Sequence, residues 1–252
     1  MTVTRPDVVV FGDSTLGHSA DGTGKLGKAL VPLLVEWGYA DSPEAVEVLG
    51  VGGSTAGTWL YTAGLRKGFR GLQPWRWDTR HKAAMPQDAI ERANLERIGQ
   101  LDAPIYWINL SANDAWGNKP EHFIASARKV LSYLPKSAKV VWSEGQGLTG
   151  RTHPYDRKRA NMDALARAFA GSRRVLVLTA GDEASLKAYH RKNIHPDVAE
   201  HTAWLNLKAP RILAHLDAPR PKGNGLVVAA VGVVGATFAY AAWQWARNTG
   251  RL

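Results

Sequence analysis

Four short polar motifs in this sequence contain the residue types that acyl transfer uses. Ser14 stands in a Gly-Asp-Ser turn, Gly53 in a glycine-rich turn, Asn113 in a Ser-Ala-Asn-Asp segment, and His195 directly before a proline. A serine hydroxyl becomes nucleophilic when a base such as histidine accepts its proton. Backbone and carboxamide N–H groups can stabilise the oxyanion that follows. Each motif alone is explained equally well as a turn or a helix cap, so its chemistry depends on where the fold places it.

The elements that must position these motifs alternate along residues 1–217. Short β-rich runs predict strands over 7–11, 45–49, 105–110, 139–142 and 174–178. Amphipathic stretches predict helices over 24–36, 86–99, 120–131, 155–170 and 196–213. This alternation indicates a largely parallel sheet covered by helices on both faces. Ligands of such sheets bind at the carboxyl ends of the strands, which is where the first three motifs stand.

In this order, the four motifs resemble the four blocks of the SGNH (GDSL-type) hydrolase superfamily, over residues 7 to about 215. The resemblance implies a three-layer α/β/α sandwich around a five-stranded parallel sheet, and a serine esterase that needs no metal or organic cofactor. It implies Ser14 as the nucleophile and His195 as the general base. The oxyanion hole would comprise the Ser14 and Gly53 backbone N–H groups and the Asn113 side chain. We expect the Asp13 side chain to point away from the nucleophile and support its loop.

Two positions depart from the pattern of that superfamily. Lys192 stands where an aspartate usually orients the histidine, and Ser111 stands where a glycine is usual. A lysine cannot accept the imidazole proton, so a backbone carbonyl or a distant carboxylate would have to orient His195. Asp197 is expected to lie inside the next helix, which makes it a poor substitute. The alternative is a catalytically degenerate binding module.

A Trp- and Arg-rich insertion is predicted over residues 58–82, between the second and third motifs. Aromatic rings stack on sugars, and arginine pairs with carboxylates. One interpretation is therefore a lid that binds an acidic polymer; the other is a long loop whose aromatic side chains pack on the core. The candidate substrate-binding residues are Trp59, Trp75, Trp77 and Arg76.

The chain is strongly basic. Its 252 residues include 32 Lys+Arg and 22 Asp+Glu, for a formal net charge of +10. Such a surface favours anionic partners, but the basic residues are scattered and no nucleic-acid-binding motif is apparent, so nucleic acid is not the predicted partner. The Arg157-Lys158-Arg159 cluster is expected on the solvated face of its helix or against anionic lipid headgroups. Because there is no cysteine, a disulfide scaffold, Cys-ligated zinc and a thiol nucleophile are excluded.

Residues 225–246 form an uncharged run of 22 residues. As a helix it would be about 33 Å long, enough to cross a bilayer core of about 30 Å. The alternative is a buried core helix. The prediction is therefore a domain over 1–217, a linker over 218–224, a transmembrane helix over 225–246 and a short basic tail over 247–252. Small residues within the span, Gly232 and Ala236, would let two such helices pack into a homo-oligomer.

These features together predict a membrane-anchored serine esterase. Its substrate would carry an O-acetyl group on a glycan or cell-wall polymer, or be a lipid ester held near the bilayer. Since the N-terminus lacks the long apolar core of a secretory signal, we expect the domain to face the cytosol or to belong to a virion or envelope membrane. The alternative from another class is a silent SGNH-like module, tethered to that membrane as a structural or binding component of a virion or envelope assembly.

Overall fold

The computed structural model describes residues 5–13, 15–16, 24–51, 54–62, 94–111, 113–116, 119–144, 155–179 and 197–217. Several sequence-based predictions lie outside these residues. They concern Ser14, Gly53, Lys192, His195, Trp75, Arg76, Trp77 and the whole of 218–252.

A five-stranded parallel sheet forms the centre of the described chain. The strands are adjacent in the order β2-β1-β3-β4-β5, and all the pairings are parallel. The predicted sheet is confirmed, and each predicted strand is within one residue of the observed one at either end. The strands are β1 (Val8–Gly12), β2 (Val46–Gly50), β3 (Ile105–Asn109), β4 (Lys139–Ser143) and β5 (Val175–Leu178).

Helices connect the strands. They are α1 (Lys25–Glu36), α2 (Ala56–Thr62), α3 (Leu95–Gln100), α4 (Pro120–Tyr133), α5 (Tyr155–Ala168) and α6 (Val198–Leu216). Short 3-10 turns occupy Pro43–Ala45 and Asp114–Trp116. Helix α2 was not predicted, because its seven residues are too short for a clear amphipathic period.

Two apolar layers cover the two faces of the sheet. Along β1, Val8 and Val10 belong to the cluster that contains α1 and α6. Val9 and Phe11 belong to the other cluster, with α2, α3, α4 and α5. Because alternate side chains of the strand enter different layers, the strand is apolar throughout, which is typical of a parallel sheet covered on both sides. The described residues thus form an α/β/α arrangement.

Within the described ranges, no helix combines the length and the apolar character that crossing a membrane requires. The predicted span over 225–246 falls outside them and stays a prediction.

Candidate active site

The parallel register brings the ends of four strands level at the carboxyl edge of the sheet. Gly12 is paired with Gly50 on one side and with Asn109 on the other, and Asn109 is paired with Ser143. The strand order 2-1-3-4-5 has its switch point between β1 and β3, where doubly wound sheets bind their ligands. The first and third predicted motifs leave the sheet at this point.

Gly12 is needed where β1 ends. A Cβ atom at this position would overlap the backbone carbonyl of Asn109, so any larger residue would push β1 and β3 apart. Just beyond it, the Asp13 backbone N–H donates to Asn109 O at 3.2 Å. The chain that leads to Ser14 is therefore held tightly against the end of β3 up to residue 13.

The Asp13 carboxylate holds the other side of this turn. Its Oδ1 accepts hydrogen bonds from the Thr15 backbone N–H at 3.0 Å and from the Thr15 hydroxyl at 2.8 Å. Both side chains are buried. The residues on either side of Ser14 in the chain are thus tied to each other by two hydrogen bonds.

A hydrogen-bonded chain of buried side chains continues from this turn across the sheet. The Asn109 Nδ2 donates to Thr15 Oγ1 at 2.6 Å, and Asn109 Oδ1 accepts from Ser143 Oγ at 2.7 Å. Ser143 Oγ in turn accepts from Trp107 Nε1 at 2.9 Å. Each hydroxyl donates to one neighbour and accepts from another, so the direction of donation is defined and ends at Asp13.

Burial raises the pKa of Asp13 from 3.8 to about 6. The two hydrogen bonds from Thr15, the positive charge of Lys158 and the Asn109 amide all oppose this rise, because they favour the ionised carboxylate. Desolvation is the largest of these effects. Asp13 is therefore a buried carboxyl group with a raised pKa, one residue before the predicted nucleophile in the chain.

The second motif is hydrogen-bonded to the first. The Val51 backbone N–H donates to Gly12 O at 2.9 Å, and Ser54 Oγ donates to the same carbonyl at 3.1 Å. Gly53 lies between these two residues in the chain. Gly12 O thus connects the end of β1 to the residues on either side of the glycine turn.

The third motif joins the second through Asn113. Its Nδ2 donates to Ser54 O at 3.1 Å, and the side chain is half-buried. A carboxamide nitrogen carries two hydrogens, so one remains for another acceptor. The next residue, Asp114, accepts from the Ala56 backbone N–H with both carboxylate oxygens at 3.2 Å. It thereby caps the first residue of α2 from another part of the chain.

Helix α6 runs antiparallel to the strands, so that its first residues are nearer the carboxyl edge of the sheet and its last residues nearer the amino edge. Near its end, His215 Nε2 is 3.2 Å from Val140 O, close to the start of β4. One turn earlier, Arg211 Nη2 donates at 3.4 Å to Val177 O. The register pairs Val140 with Val175, so the Val177 contact is two residues nearer the carboxyl edge. The beginning of α6 is therefore nearer that edge still.

Asp197 was predicted to lie inside α6, but it is the N-cap residue, directly before the helix. Its Oδ1 accepts from the Glu200 backbone N–H at 2.8 Å, and Glu200 Oε2 accepts from the Asp197 backbone N–H at 2.9 Å. This is a reciprocal capping box. His195 is two residues earlier in the chain, outside the described residues.

Lys158 is not on the solvated face of its helix, and that part of the prediction was wrong. Its side chain is 0% exposed, and its Nζ lies 3.2 Å from Glu144 Oε1. Its neighbours Arg157 and Arg159 are exposed, as predicted. The spacing of Lys158 from apolar residues of the same helix indicates its burial, and the prediction did not use it. Lys158 precedes the buried Met162 and Leu165 by one and two helical turns, which places all three on the inward face.

Trp59 packs in the core. It is 1% exposed, its ring meets Phe11 edge to face with centroids 5.1 Å apart, and its Nε1 donates to Ser54 Oγ at 3.1 Å. Of the two interpretations of the insertion, packing against the core describes this residue. A tryptophan so enclosed offers no face on which a sugar could stack.

Among the residues that the structure describes, no group of three or more His, Asp or Glu side chains could hold a metal ion.

Comparison with known proteins concerns the fold alone. No family model matches the chain, and no curated protein does either. Among solved structures, it is similar to a family two carbohydrate esterase from Clostridium thermocellum in complex with cellohexaose. The TM-score is 0.51 at 14% identity, and the match covers 87% of this chain and 68% of the esterase. The two chains share a fold. TesA also matches, with a TM-score of 0.48 at 17% identity, over 82% of this chain and 98% of TesA.

The α/β fold of this chain, with its five-stranded parallel sheet, agrees with the fold that the sequence resemblance implied. The described part of the carboxyl edge of the sheet also contains buried polar groups for which no functional role was predicted: Thr15, Asn109, Ser143, Glu144, Asp114 and Lys158. Asn109, Ser143 and Glu144 stand at strand ends, where a buried polar residue is a signal for a site of this kind. Thr15 and Asp114 gave no such signal, since each has a plain role as a turn residue.

Proposed function

We propose that this chain is a serine esterase that hydrolyses carboxylic esters through an acyl-enzyme on Ser14. One observation carries the proposal. The described parts of three motifs are joined by hydrogen bonds at the switch point of the sheet, because Ser54 donates to Gly12 O and Asn113 donates to Ser54 O. A nucleophile, an oxyanion-binding turn and a carboxamide donor are needed together at one point in space. These hydrogen bonds support such a convergence of the motifs.

The proposed reaction has two halves. His195 accepts the hydroxyl proton while Ser14 Oγ attacks the ester carbonyl, and the oxyanion is stabilised by the Asn113 side chain and the Ser14 and Gly53 N–H groups. Collapse breaks the ester bond, and the alcohol leaves with the proton from His195. Water then attacks the acyl-enzyme in the same way and releases the acid. Because Lys192 cannot accept a proton from the imidazole, a backbone carbonyl or a distant carboxylate orients the ring in this proposal.

The substrate proposed first is an O-acetyl group on a glycan, and a lipid ester comes second. The carbohydrate esterase of the same fold was solved with cellohexaose, which supports a glycan. The position of the end of α6 also favours a glycan over a lipid ester. The proposed anchor at 225–246 follows this helix in the chain, so a site far from the end of the helix would lie away from the bilayer. Asp217 follows the helix and is 2.9 Å from Lys139, the first residue of β4. The chain thus leaves the described part at the amino edge of the sheet, opposite the candidate site.

We further propose that residues 225–246 anchor the protein in a membrane with the domain facing the cytosol, or in a virion or envelope membrane. The support is the uncharged run of 22 residues. Flotation of the full chain with liposomes tests the anchoring. Recovery of the protein in the lipid fraction, resistant to carbonate and to high salt, is the expected result, and release by either treatment would contradict it.

Labelling with a fluorophosphonate probe tests the esterase proposal. The purified protein should be labelled and should cleave an aryl acetate, and Ser14→Ala should lose both activities. Ser132→Ala is the matched control, since Ser132 is an exposed hydroxyl on α4 that bonds only locally to Lys129 O. Labelling that persists in Ser14→Ala would contradict the assignment of the nucleophile.

The second candidate function is a catalytically silent SGNH-like module in a virion or envelope assembly. Lys192 in the usual position of the aspartate favours it. The same labelling experiment decides between the two candidates, because a silent module would leave the folded wild-type protein unlabelled.

A further inference from the structure

A buried ion pair lies beside the candidate site and has no part in the proposed chemistry. Lys158, in the first turns of α5, is 3.2 Å from Glu144, which directly follows β4 at the carboxyl edge. Their side chains are 0% and 5% exposed. Both charges have therefore been removed from water at the edge of the sheet where the predicted motifs lie.

Stability alone gives little reason for this pair. Taking two charges out of water costs several kcal/mol per ion, and their attraction repays this cost only when the geometry is excellent. Well-packed apolar residues of similar volume are often equally stable or more stable in such positions. A buried pair of this kind is thus better explained by what it orders than by a contribution to the free energy of unfolding.

The residues around Glu144 connect it to two of the predicted motifs. The Ser111 hydroxyl donates to Glu144 O at 3.4 Å, and Ser111 begins the segment that contains Asn113. On the other side, the preceding residue Ser143 donates to Asn109, which in turn donates to Thr15 beside Ser14. A displacement of Glu144 would therefore be transmitted both to the nucleophile loop and to the oxyanion loop.

The charge of Lys158 also reaches the nucleophile loop directly. Its ammonium group lowers the pKa of Asp13 against the larger effect of burial. It thus favours the carboxylate form of Asp13, which is the better acceptor for the two hydrogen bonds from Thr15. The ion pair therefore reaches the Asp13–Thr15 turn in two ways: through the hydrogen bonds from Ser143 and Asn109, and through the charge of Lys158.

We infer that Lys158 and Glu144 form a positioning pair, which holds the loop of Ser14 and the loop of Asn113 in the arrangement that acyl transfer requires. The inference rests on the proposed esterase function. Neither residue touches the substrate in this role. Their effect is on the geometry of other groups, and a misplacement of about 1 Å in such groups can cost about 100-fold in rate.

The test replaces the pair by apolar residues and measures labelling by the fluorophosphonate probe on the full chain. Lys158→Met combined with Glu144→Leu should fold with an unchanged or higher melting temperature. Its maximal rate of labelling should nevertheless fall by about 10- to 100-fold, while the half-saturating probe concentration stays within about twofold. That separation distinguishes positioning from structural support, which would change the melting temperature first.

A matched control lies on the same helix. Arg159 and Asp163 form an exposed ion pair one turn apart, so Arg159→Gln combined with Asp163→Asn removes similar charges and should leave labelling unchanged. If the apolar double variant does not fold, the isosteric Glu144→Gln replaces it, and a severalfold slower maximal rate is expected there.

The outcomes separate the inference from the proposed function. Wild-type labelling at Ser14 together with an equally fast, folded variant would overturn the positioning pair and leave the esterase proposal standing. Absence of Ser14-dependent labelling in the wild-type protein would overturn both.

Discussion

At the scale of single residues, the amide of Asn113 combines two tasks. One hydrogen of its Nδ2 is donated to Ser54 O, which ties the third motif to the second. The other hydrogen is free of that contact and, in the proposed mechanism, is donated to the oxyanion. The hydrogen bond to Ser54 limits rotation of the side chain, so the donor is oriented before a substrate arrives.

Asn113→Ala should lower the turnover of an aryl acetate by about 100- to 1000-fold, because one oxyanion donor is lost. Steady-state kinetics and a thermal melt check this, and the melting temperature should change little. Asn94→Ala is the control. Asn94 caps α3 by accepting from Glu96 N and Arg97 N, so its loss should cost about 1 kcal/mol of stability with turnover unchanged. Wild-type turnover in Asn113→Ala would remove this residue from the proposed oxyanion hole.

Asp13 should make the free energy of unfolding depend on pH. Its pKa is about 6 in the folded protein against 3.8 for an ordinary carboxyl, so the folded state binds the proton more tightly. The stability that this proton contributes is complete below pH 4 and is lost as the pH rises through 6. The pKa difference corresponds to about 3 kcal/mol.

Asp13→Asn removes this titration. Urea unfolding of both proteins at pH 4, 5, 6 and 7 should show the wild type losing stability relative to the variant as the pH rises. The difference should stop changing above about pH 7. A difference that is constant over this range, or one that favours the wild type at higher pH, would show that Asp13 is not a buried carboxyl with a raised pKa.

At the scale of elements, the way α6 begins matters most for the candidate site. Its capping box satisfies backbone N–H groups that the first turn leaves without helical partners. The Asp197 carboxylate is thus engaged with the Glu200 backbone N–H. This contact gives the carboxylate a structural role and makes it a poor choice for orienting His195.

Asp197→Ala should therefore cost about 1 kcal/mol of stability, as the loss of an N-cap does, and should change the turnover per folded molecule by less than about tenfold. Chemical denaturation and aryl acetate kinetics measure the two quantities. A loss of turnover near 10,000-fold, which is typical when the orienting carboxylate of a catalytic histidine is removed, would assign that role to Asp197.

At the scale of the whole molecule, the parallel sheet separates the candidate site from the exit of the chain. The predicted motifs follow the carboxyl ends of the strands, whereas Asp217 and His215 contact Lys139 at the amino edge. The predicted linker over 218–224 has seven residues and spans at most about 25 Å. An anchor at 225–246 would thus hold the bilayer near the amino edge.

The separation of the candidate site from the proposed anchor predicts which esters the anchored protein hydrolyses. Reconstituted in liposomes, the full chain should cleave a water-soluble aryl acetate as fast as it does in detergent, and it should cleave lipid esters of the same bilayer at least about tenfold more slowly. Release of acid from each substrate measures this. Faster hydrolysis of the lipid ester would show that the site faces the membrane.

The strands and the order of the polar motifs were determined by the sequence alone. A strand covered on both faces is apolar throughout, and this signal is local, so Val8–Gly12 and the four other strands were predicted to within one residue. The order of Ser14, Gly53 and Asn113 after consecutive strands likewise followed from the alternation of elements.

Only the tertiary structure decided which partners the buried polar and aromatic side chains meet. Lys158 is buried with Glu144 as its ion-pair partner, 14 residues earlier and directly after β4, and Trp59 of α2 is buried against Phe11. Asp114 caps a helix that begins 58 residues before it. Such partners come from distant parts of the chain, and the desolvation that raises the pKa of Asp13 depends on every layer packed around it. The helical spacing of Lys158, Met162 and Leu165 places Lys158 on the inward face of α5. The partners themselves leave no local sequence pattern, since these contacts exist only once the sheet and its helices have assembled.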